Sequence, residues 1–277
     1  MKSTSIYSYL FLTVSILFFV ACKPSKPSDK LSAKSEKDLV VHELKNESTF
    51  DQQMAEIDTF ILAFGSVASS LDYSKEDGTF EHVDAHMNKE NEFIRLDETF
   101  KEKNNGPSGI NYFYVLDGKT FCSRQIYLER PDASQYIEKI SYYSPSGDCL
   151  KTKQRSAQYE ELLKKAEFKA VPRQIISVDK ALAIINQKGE YTPTFQGFVE
   201  SPQGQYMVVG QPGNGGFTSA LKITTKDDFI KDIEKDQIRF INGTIYLQYE
   251  KIREMNGFTY QKYLKGAWTK SALKSKI

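Results

Sequence analysis

The segment INYFYVLDGKTFCSRQIYLE, residues 110–129, decides the fold that we expect for this chain. Side chains alternate in character along residues 110–116 and again along 120–129, which is the period of a strand with two different faces. Asp117-Gly118-Lys119 separates the two runs, and a short turn containing Asp-Gly favours a β-hairpin. The segment therefore predicts two antiparallel strands joined by a tight turn.

The same alternation continues on both sides of this hairpin. Two predicted strands precede it about a polar turn at 89–91, and two follow it about a turn at 144–147. These four segments are residues 79–88, 92–102, 136–143 and 148–155. Because a short turn joins each strand to the next, we expect antiparallel strands in simple neighbour-to-neighbour order.

An amphipathic helix is predicted before this sheet. Apolar side chains recur at intervals of three and four from Phe50 to Leu71, which predicts a helix over 50–72 with one apolar stripe. A sheet needs cover on at least one face, and this helix is the natural cover. We therefore expect an α+β fold in which residues 49–170 form an N-terminal helix packed on an antiparallel meander sheet.

The pattern changes after residues 171–173, where a proline follows a short helix predicted over 157–166. Ser177 is predicted to cap a further helix that stops at Gly189. Thr225 is predicted to cap a helix over 226–236. Five strands are predicted around that helix, at residues 194–200, 205–210, 218–224, 243–253 and 258–265.

The order strand, strand, strand, helix, strand, strand over residues 191–268 resembles that of an OB-fold barrel. The resemblance lies in the order of the elements. It implies a small OB-like β-barrel domain with one helix over residues 175–270. A second small α+β sheet domain is the alternative.

The first residues carry a targeting signal. An apolar stretch over 6–21 follows Lys2 and has the character of the h-region of a secretory signal peptide. It ends in FVAC, residues 19–22, which resembles the lipobox of bacterial lipoproteins. Ala21 and Cys22 match that pattern, whereas Phe19 departs from its usual leucine. The resemblance implies a signal peptide over residues 1–21 and lipidation of Cys22.

This resemblance also implies a location and a partner. The partner is the lipid bilayer, and the protein is expected in the cell envelope, lipid-anchored to a bacterial membrane, with its soluble part outside the cytoplasm. The outer membrane is favoured and the inner one stays open. Residues 22–48, rich in Lys, Ser and Pro, are expected to be a flexible tether. An uncleaved anchor and plain secretion are the alternatives, but the apolar run is shorter than the roughly 20 residues of a spanning helix.

The charge balance bears on the other partners. Lys plus Arg number 37 and Asp plus Glu number 36. Nucleic acid is disfavoured, because neutralising phosphates needs clustered excess positive charge. We expect an envelope protein or a glycan as the partner of the soluble part.

Two cysteines remain once Cys22 carries lipid. Cys122 and Cys149 each follow a predicted turn, and the predicted strand over 136–143 runs between them. Two strand spacings put their Cα atoms roughly 10 Å apart, beyond the reach of about 7 Å that a disulfide allows. The oxidising compartment favours a bond, but the strand order predicts free thiols.

One cluster is of metal-ligand type. His82, Asp84 and His86 would share one face of a strand, and two imidazoles with a carboxylate suit Zn²⁺. We expect the polar outer face of an edge strand instead, with no metal and no other cofactor, because the further ligand of a zinc site is not evident. The glycine-rich stretch at 210–216 lacks the Lys-Ser/Thr of a phosphate loop and is predicted to be an ordinary loop.

Aromatic residues of the second half supply the candidate ligand face. Tyr206, Tyr246 and Tyr260 lie in predicted strands, and OB-type barrels bind oligosaccharides and oligonucleotides on such faces. The sequence therefore favours a non-catalytic binding or interaction module. A metal-dependent enzyme centred on His82, Asp84 and His86, or an inhibitor or immunity-type lipoprotein, are the alternatives.

Overall fold

A computed structural model describes residues 36–269, apart from 131, 133, 134 and 212–214; for residues 36–46 it describes the backbone alone. The predicted signal peptide, Cys22 and the first part of the predicted tether lie outside the described residues. In the part of the chain that the structure covers, no helix is long and apolar enough to cross a membrane.

The central feature is the predicted meander, and all six of its predicted strands are confirmed. Each pairs antiparallel with its neighbour in sequence, from residue 80 to residue 157. Three short strands that the sequence did not predict extend it. In chain order the nine strands are β1 (Ser66–Ser69), β2 (Tyr73–Ser74), β3 (Phe80–Met87), β4 (Phe93–Lys101), β5 (Ser108–Leu116), β6 (Lys119–Leu128), β7 (Tyr136–Tyr143), β8 (Cys149–Ala157) and β9 (Lys169–Val171).

The first helix, α1 (Glu36–Phe64), differs from the prediction at both ends. It begins at Glu36, so the last part of the segment predicted as a tether is helical. It ends at Phe64, so Val67 and Ala68 lie in β1 and Leu71 follows it. The apolar side chains from Val67 onward continue the helical spacing by coincidence, because long-range pairing with β3 determines their conformation.

The predicted contact of this helix with the sheet is confirmed. Met54 is buried against Tyr114, Cys122 and Tyr142 of the meander. Phe50 stacks on Tyr142 with ring centroids 5.8 Å apart. Burying a methionine side chain contributes about 1.5–3 kcal/mol, so this apolar stripe holds the helix on one face of the sheet.

The second half contains the five predicted strands and the predicted helix. The strand over 218–223 pairs in parallel with the strand over 259–268, which pairs antiparallel with the strand over 245–253. An isolated bridge joins Thr194 to Thr244. The elements are α2 (Asp179–Ile185), β10 (Phe195–Ser201), β11 (Gly204–Gly210), β12 (Thr218–Ile223), α3 (Asp228–Lys235), α4 (Gln237–Phe240), β13 (Ile245–Arg253) and β14 (Thr259–Trp268).

Three helix predictions are corrected in detail. The predicted helix over 157–166 is a short 3₁₀ helix, Glu160–Lys165. Asp227 caps α3 by accepting from the Ile230 amide, where the prediction named Thr225. Ser177 lies one residue ahead of the α2 cap position, and its hydroxyl accepts from the Asp179 amide.

The two predicted domains share one sheet. β12 pairs with β2 at Thr218 and Ser74, which gives a continuous 14-stranded sheet. The larger apolar core also crosses the predicted boundary, because Leu71 and Val83 belong to the same buried cluster as Leu221 and Ile230. The chain is therefore α+β, as predicted, but one sheet and one core run through both halves.

Candidate functional site

An open groove of about 830 Å³ lies between β1 and β13. The last residue of α2 and the start of the loop that follows, residues 185–187, form a third wall. Most of its side chains are neutral hydrogen-bonding groups, and a well-formed cleft with convergent polar groups is a candidate binding site. The polar and aromatic members are Ser69, Asn186, Gln187, Thr192, Thr244, Tyr246, Gln248, Tyr249 and Thr269.

One wall is the free edge of β1. This strand pairs with β3, and the Ser70 amide donates to the Val83 carbonyl at 2.7 Å. Backbone groups alternate in direction along an antiparallel ladder. The amide and carbonyl of Ala68 therefore also face β3, whereas those of Val67 and Ser69 face the groove. In the described residues β1 has no second strand partner. The amide and carbonyl of Val67 are therefore offered to the groove.

The opposite wall is the free edge of β13. The Thr269 amide donates to the Thr244 carbonyl, so the backbone groups of Thr244 face β14 and those of Ile245 face away from it. The Ile245 amide donates to the Pro193 carbonyl at 3.0 Å, which confirms that the backbone groups of Ile245 point away from β14. Leu247 is two residues further along, so its backbone amide and carbonyl point into the groove.

Two side chains cross the groove floor from β13. Tyr249 donates from its hydroxyl to the Ser69 carbonyl at 3.0 Å, and burial raises its pKa to about 12. Lys251 places its Nζ 3.1 Å from Nε2 of His82.

The strand pairings give the relative direction of the two edges. β1 and β2 both run antiparallel to β3, and β12 runs antiparallel to β2. β14 is parallel to β12 and β13 is antiparallel to β14, so β13 runs in the same direction as β1.

A buried histidine lies behind the end of the groove. His82 is 3 % exposed and is held between two carboxylates, with Nδ1 2.8 Å from Asp72 and Nε2 3.0 Å from Asp84. Burial opposes its charged form, but the hydrogen bonds to Asp72 and Asp84 outweigh burial and raise the pKa of His82 to about 8. Burial likewise opposes the Asp84 carboxylate, yet hydrogen bonds from His82 and Ser69 lower its pKa to about 2.

The three residues of the suspected metal cluster do not converge. His82 and Asp84 contact each other, but His86 places its Nε2 3.0 Å from Asp97 on β4. Asp97 is held in turn by Arg95, whose Nε lies 2.7 Å from it. Across the described residues no group of three His, Cys, Asp or Glu side chains has a metal-binding arrangement. The face is polar, as predicted, but it lies largely buried instead of at an outer edge.

The three candidate tyrosines occupy two places. Tyr246 lines the groove and is 57 % exposed. Tyr206 and Tyr260 lie outside the groove, and Lys222 links them. It pairs with Tyr206 across β11 and β12, and its Nζ lies 4.7 Å from the centre of the Tyr260 ring.

Cys122 and Cys149 are both free and buried. Cys122 pairs with Tyr142 and Cys149 with Tyr143, so β7 lies between them. The strand order that predicted free thiols is confirmed. Of the glycine-rich stretch at 210–216, residues 212–214 lie outside the described part; Gly210 ends β11 and Phe217 is buried in the core.

Sequence reasoning missed most of the groove. Ser69 was assigned to a helix, and Tyr249 and Lys251 lie on a strand whose neighbour across the groove was not predicted. One signal was present: SVASS, residues 66–70, is rich in serine and contains a β-branched residue, which makes a poor helix interior.

Comparison with known proteins found no relative. No family model matches the chain, no curated protein matches it, and no solved structure matches it.

Proposed function

We propose that this protein is a lipid-anchored envelope lipoprotein that acts as a non-catalytic binding module, with the groove between β1 and β13 as its ligand site. One observation carries the proposal. The groove is open, large, and lined by neutral hydrogen-bonding side chains with the exposed ring of Tyr246 at its wall. Such a lining suits recognition of an extended ligand through hydrogen bonds and ring contact.

The location rests on the sequence. The apolar stretch before Cys22 and its lipobox-like end support export and lipidation. Several acyl chains on one cysteine hold a protein stably at a bilayer, since each buried CH₂ contributes about 0.8 kcal/mol. The soluble part would then present its groove to the envelope.

The finer architecture of the second half is part of the proposal. An OB-like barrel accounts for the strand order β10, β11, β12, β14, β13, for the parallel pair of β12 and β14, and for the bridge between Thr194 and Thr244. On such a barrel Tyr206 and Tyr260 would form an outer face beside Lys222, separate from the groove.

Photo-crosslinking in whole cells tests the assignment of the site. A benzophenone amino acid replaces Tyr246 in the full-length protein, and the same replacement of Tyr159 is the control, because Tyr159 is 56 % exposed and lies far along the chain beside the 3₁₀ helix. We expect a discrete adduct from position 246 that is absent from position 159. Equal patterns from both positions, or no adduct from 246, would contradict the assignment. If the adduct contains an envelope enzyme, the inhibitor or immunity-type role becomes the specific form of this function.

A further inference from the structure

We infer that the ligand of the groove is an extended polypeptide segment, which inserts as a strand between β1 and β13 and hydrogen-bonds to both. This inference rests on the proposed function, because it names the ligand class of the same site. It is carried by the two backbone edges that face each other across the groove.

The chemistry of the two walls is that of a β-ladder. Val67 on one side and Leu247 on the other each direct an amide and a carbonyl into the groove, as the alternation of their strands requires. An exposed strand edge is a template for pairing with another chain. A groove bounded by two such edges offers pairing on both sides of one inserted strand.

The width also fits one strand. Tyr249 bridges the gap with its side chain and one hydrogen bond to the Ser69 carbonyl. A tyrosine side chain with one hydrogen bond spans roughly two strand spacings of about 4.8 Å, which leaves room for one strand between the edges. Because the edges run parallel to each other, one direction of the inserted strand suits both of them.

Charge at one end indicates what the segment should carry. Glu250 is paired with Lys262 at 2.8 Å, so the charge that the groove offers there is the ammonium of Lys251. His82, behind Lys251, is already paired with Asp72 and Asp84 and adds no charge for a ligand. Asp84 is already held by His82 and Ser69. We therefore expect an acidic side chain or a chain-terminal carboxylate at this end of the segment.

The test uses the full-length protein in detergent micelles and a phage-displayed library of random octapeptides. We expect selection of extended peptides with an acidic residue near one end. The strongest peptide is then synthesised, and its Kd is measured for the native protein and for variants. A selection that returns no peptide sensitive to the groove variants would overturn the inference.

Val67→Pro is the diagnostic variant. Proline at this position removes the amide that points into the groove and leaves the β1–β3 hydrogen bonds in place. The side chain of Val67 is 52 % exposed, so the fold should tolerate the change. Val67→Thr is the matched control, since it keeps the amide. We expect Val67→Pro to weaken peptide binding about 3- to 10-fold, as loss of one hydrogen bond does, with Val67→Thr near native. Equal affinities of the two variants, at unchanged thermal midpoint, contradict pairing with β1.

N-methylation of the peptide distinguishes insertion from addition to one edge. Val67 and Leu247 each offer one carbonyl, so an inserted strand bonds two neighbouring amides, one to each edge, and methylation of either amide should weaken binding. Weakening at only one of these two neighbouring positions means pairing with a single edge and overturns insertion between both.

A glycan arm separates the inference from the proposed function. The probe is a tetramer of N-acetylglucosamine, titrated against the native protein and Val67→Pro. Binding of the tetramer, with the crosslink from position 246 retained and no peptide selected, would leave the binding function standing and exclude the peptide. Loss of the crosslink from position 246 would instead remove the proposed function itself.

Discussion

Tyr249 on β13 donates its hydroxyl hydrogen to the backbone carbonyl of Ser69 on β1, at 3.0 Å and 180 residues apart in the chain. This bond ties the second half of the protein to the first at the floor of the groove. Tyr249→Phe should therefore lower the free energy of unfolding by about 1 kcal/mol, because a partly buried acceptor loses its donor. Denaturant titration of the native protein and the variant measures this difference in the free energy of unfolding.

Tyr246→Phe is the control for this change. Tyr246 lies on the same strand but is 57 % exposed, so its unfolding free energy should stay within about 0.5 kcal/mol of native. Equal losses in both variants would argue against the bond.

His82 predicts a stability that depends on pH. Its folded pKa, about 8, lies above the ordinary value of 6.5, so its contribution is present below pH 6.5 and is lost as pH rises through about 8. The difference of roughly 1.5 units corresponds to about 2 kcal/mol. Unfolding free energy measured from pH 6 to 9 should fall over this window in the native protein and much less in His82→Gln. A native slope in His82→Gln would refute the assignment.

The side chain of Lys180 holds two buried carboxylates under α2. Its Nζ lies 2.7 Å from Glu98 and 3.1 Å from Glu81, and these two glutamates are 1 % and 8 % exposed. Lys180→Met should cost about 2 kcal/mol, less than the roughly 3–5 kcal/mol of a fully buried pair, because the lysine side chain is 45 % exposed. Lys188→Met, at an exposed position just after α2, should be near neutral by thermal denaturation. A loss of the same size there would mean that helix charge, and not this pairing, is the cause.

The buried thiols predict a clear result in a thiol assay. In a Cys22→Ala chain, denaturation without reductant should expose two reactive thiols, from Cys122 and Cys149. The folded protein should react slowly, because both are buried and burial raises the pKa of the Cys122 thiol. A denatured chain without reactive thiols and two mass units lighter would show a disulfide and a different strand order.

Cys22→Ala tests the anchor itself. A fatty-acid probe should label the native chain in cells and leave the variant unlabelled, since the thiol that would carry the lipid is gone. Cys149→Ala, at a buried position of β8, is the control and should keep its label. Membrane association and labelling that survive in Cys22→Ala would exclude this lipidation site.

Local pattern determined most of the strands. Alternation of side chains about turns such as Asp117-Gly118-Lys119 was enough to predict the six meander strands and the five strands of the second half, because a strand's period and its turn residues are properties of a few neighbouring residues. The same locality explains the free thiols, since neighbour-to-neighbour order alone puts β7 between Cys122 and Cys149.

Only the tertiary structure decided the groove. Val67 and Ala68 carry a helix-like spacing in sequence, yet they form a strand because Ala68 and Ser70 pair with residues of β3 that lie 13 to 17 positions further along the chain. The pairing of Ser74 with Thr218 and the contact of Tyr249 with Ser69 join residues more than 140 positions apart. Such contacts leave no periodic trace in the sequence, because they depend on which strand edges the finished sheet brings together. The sequence by itself thus determined the strands, and the packing of the two halves determined that two of their edges face each other across an open groove.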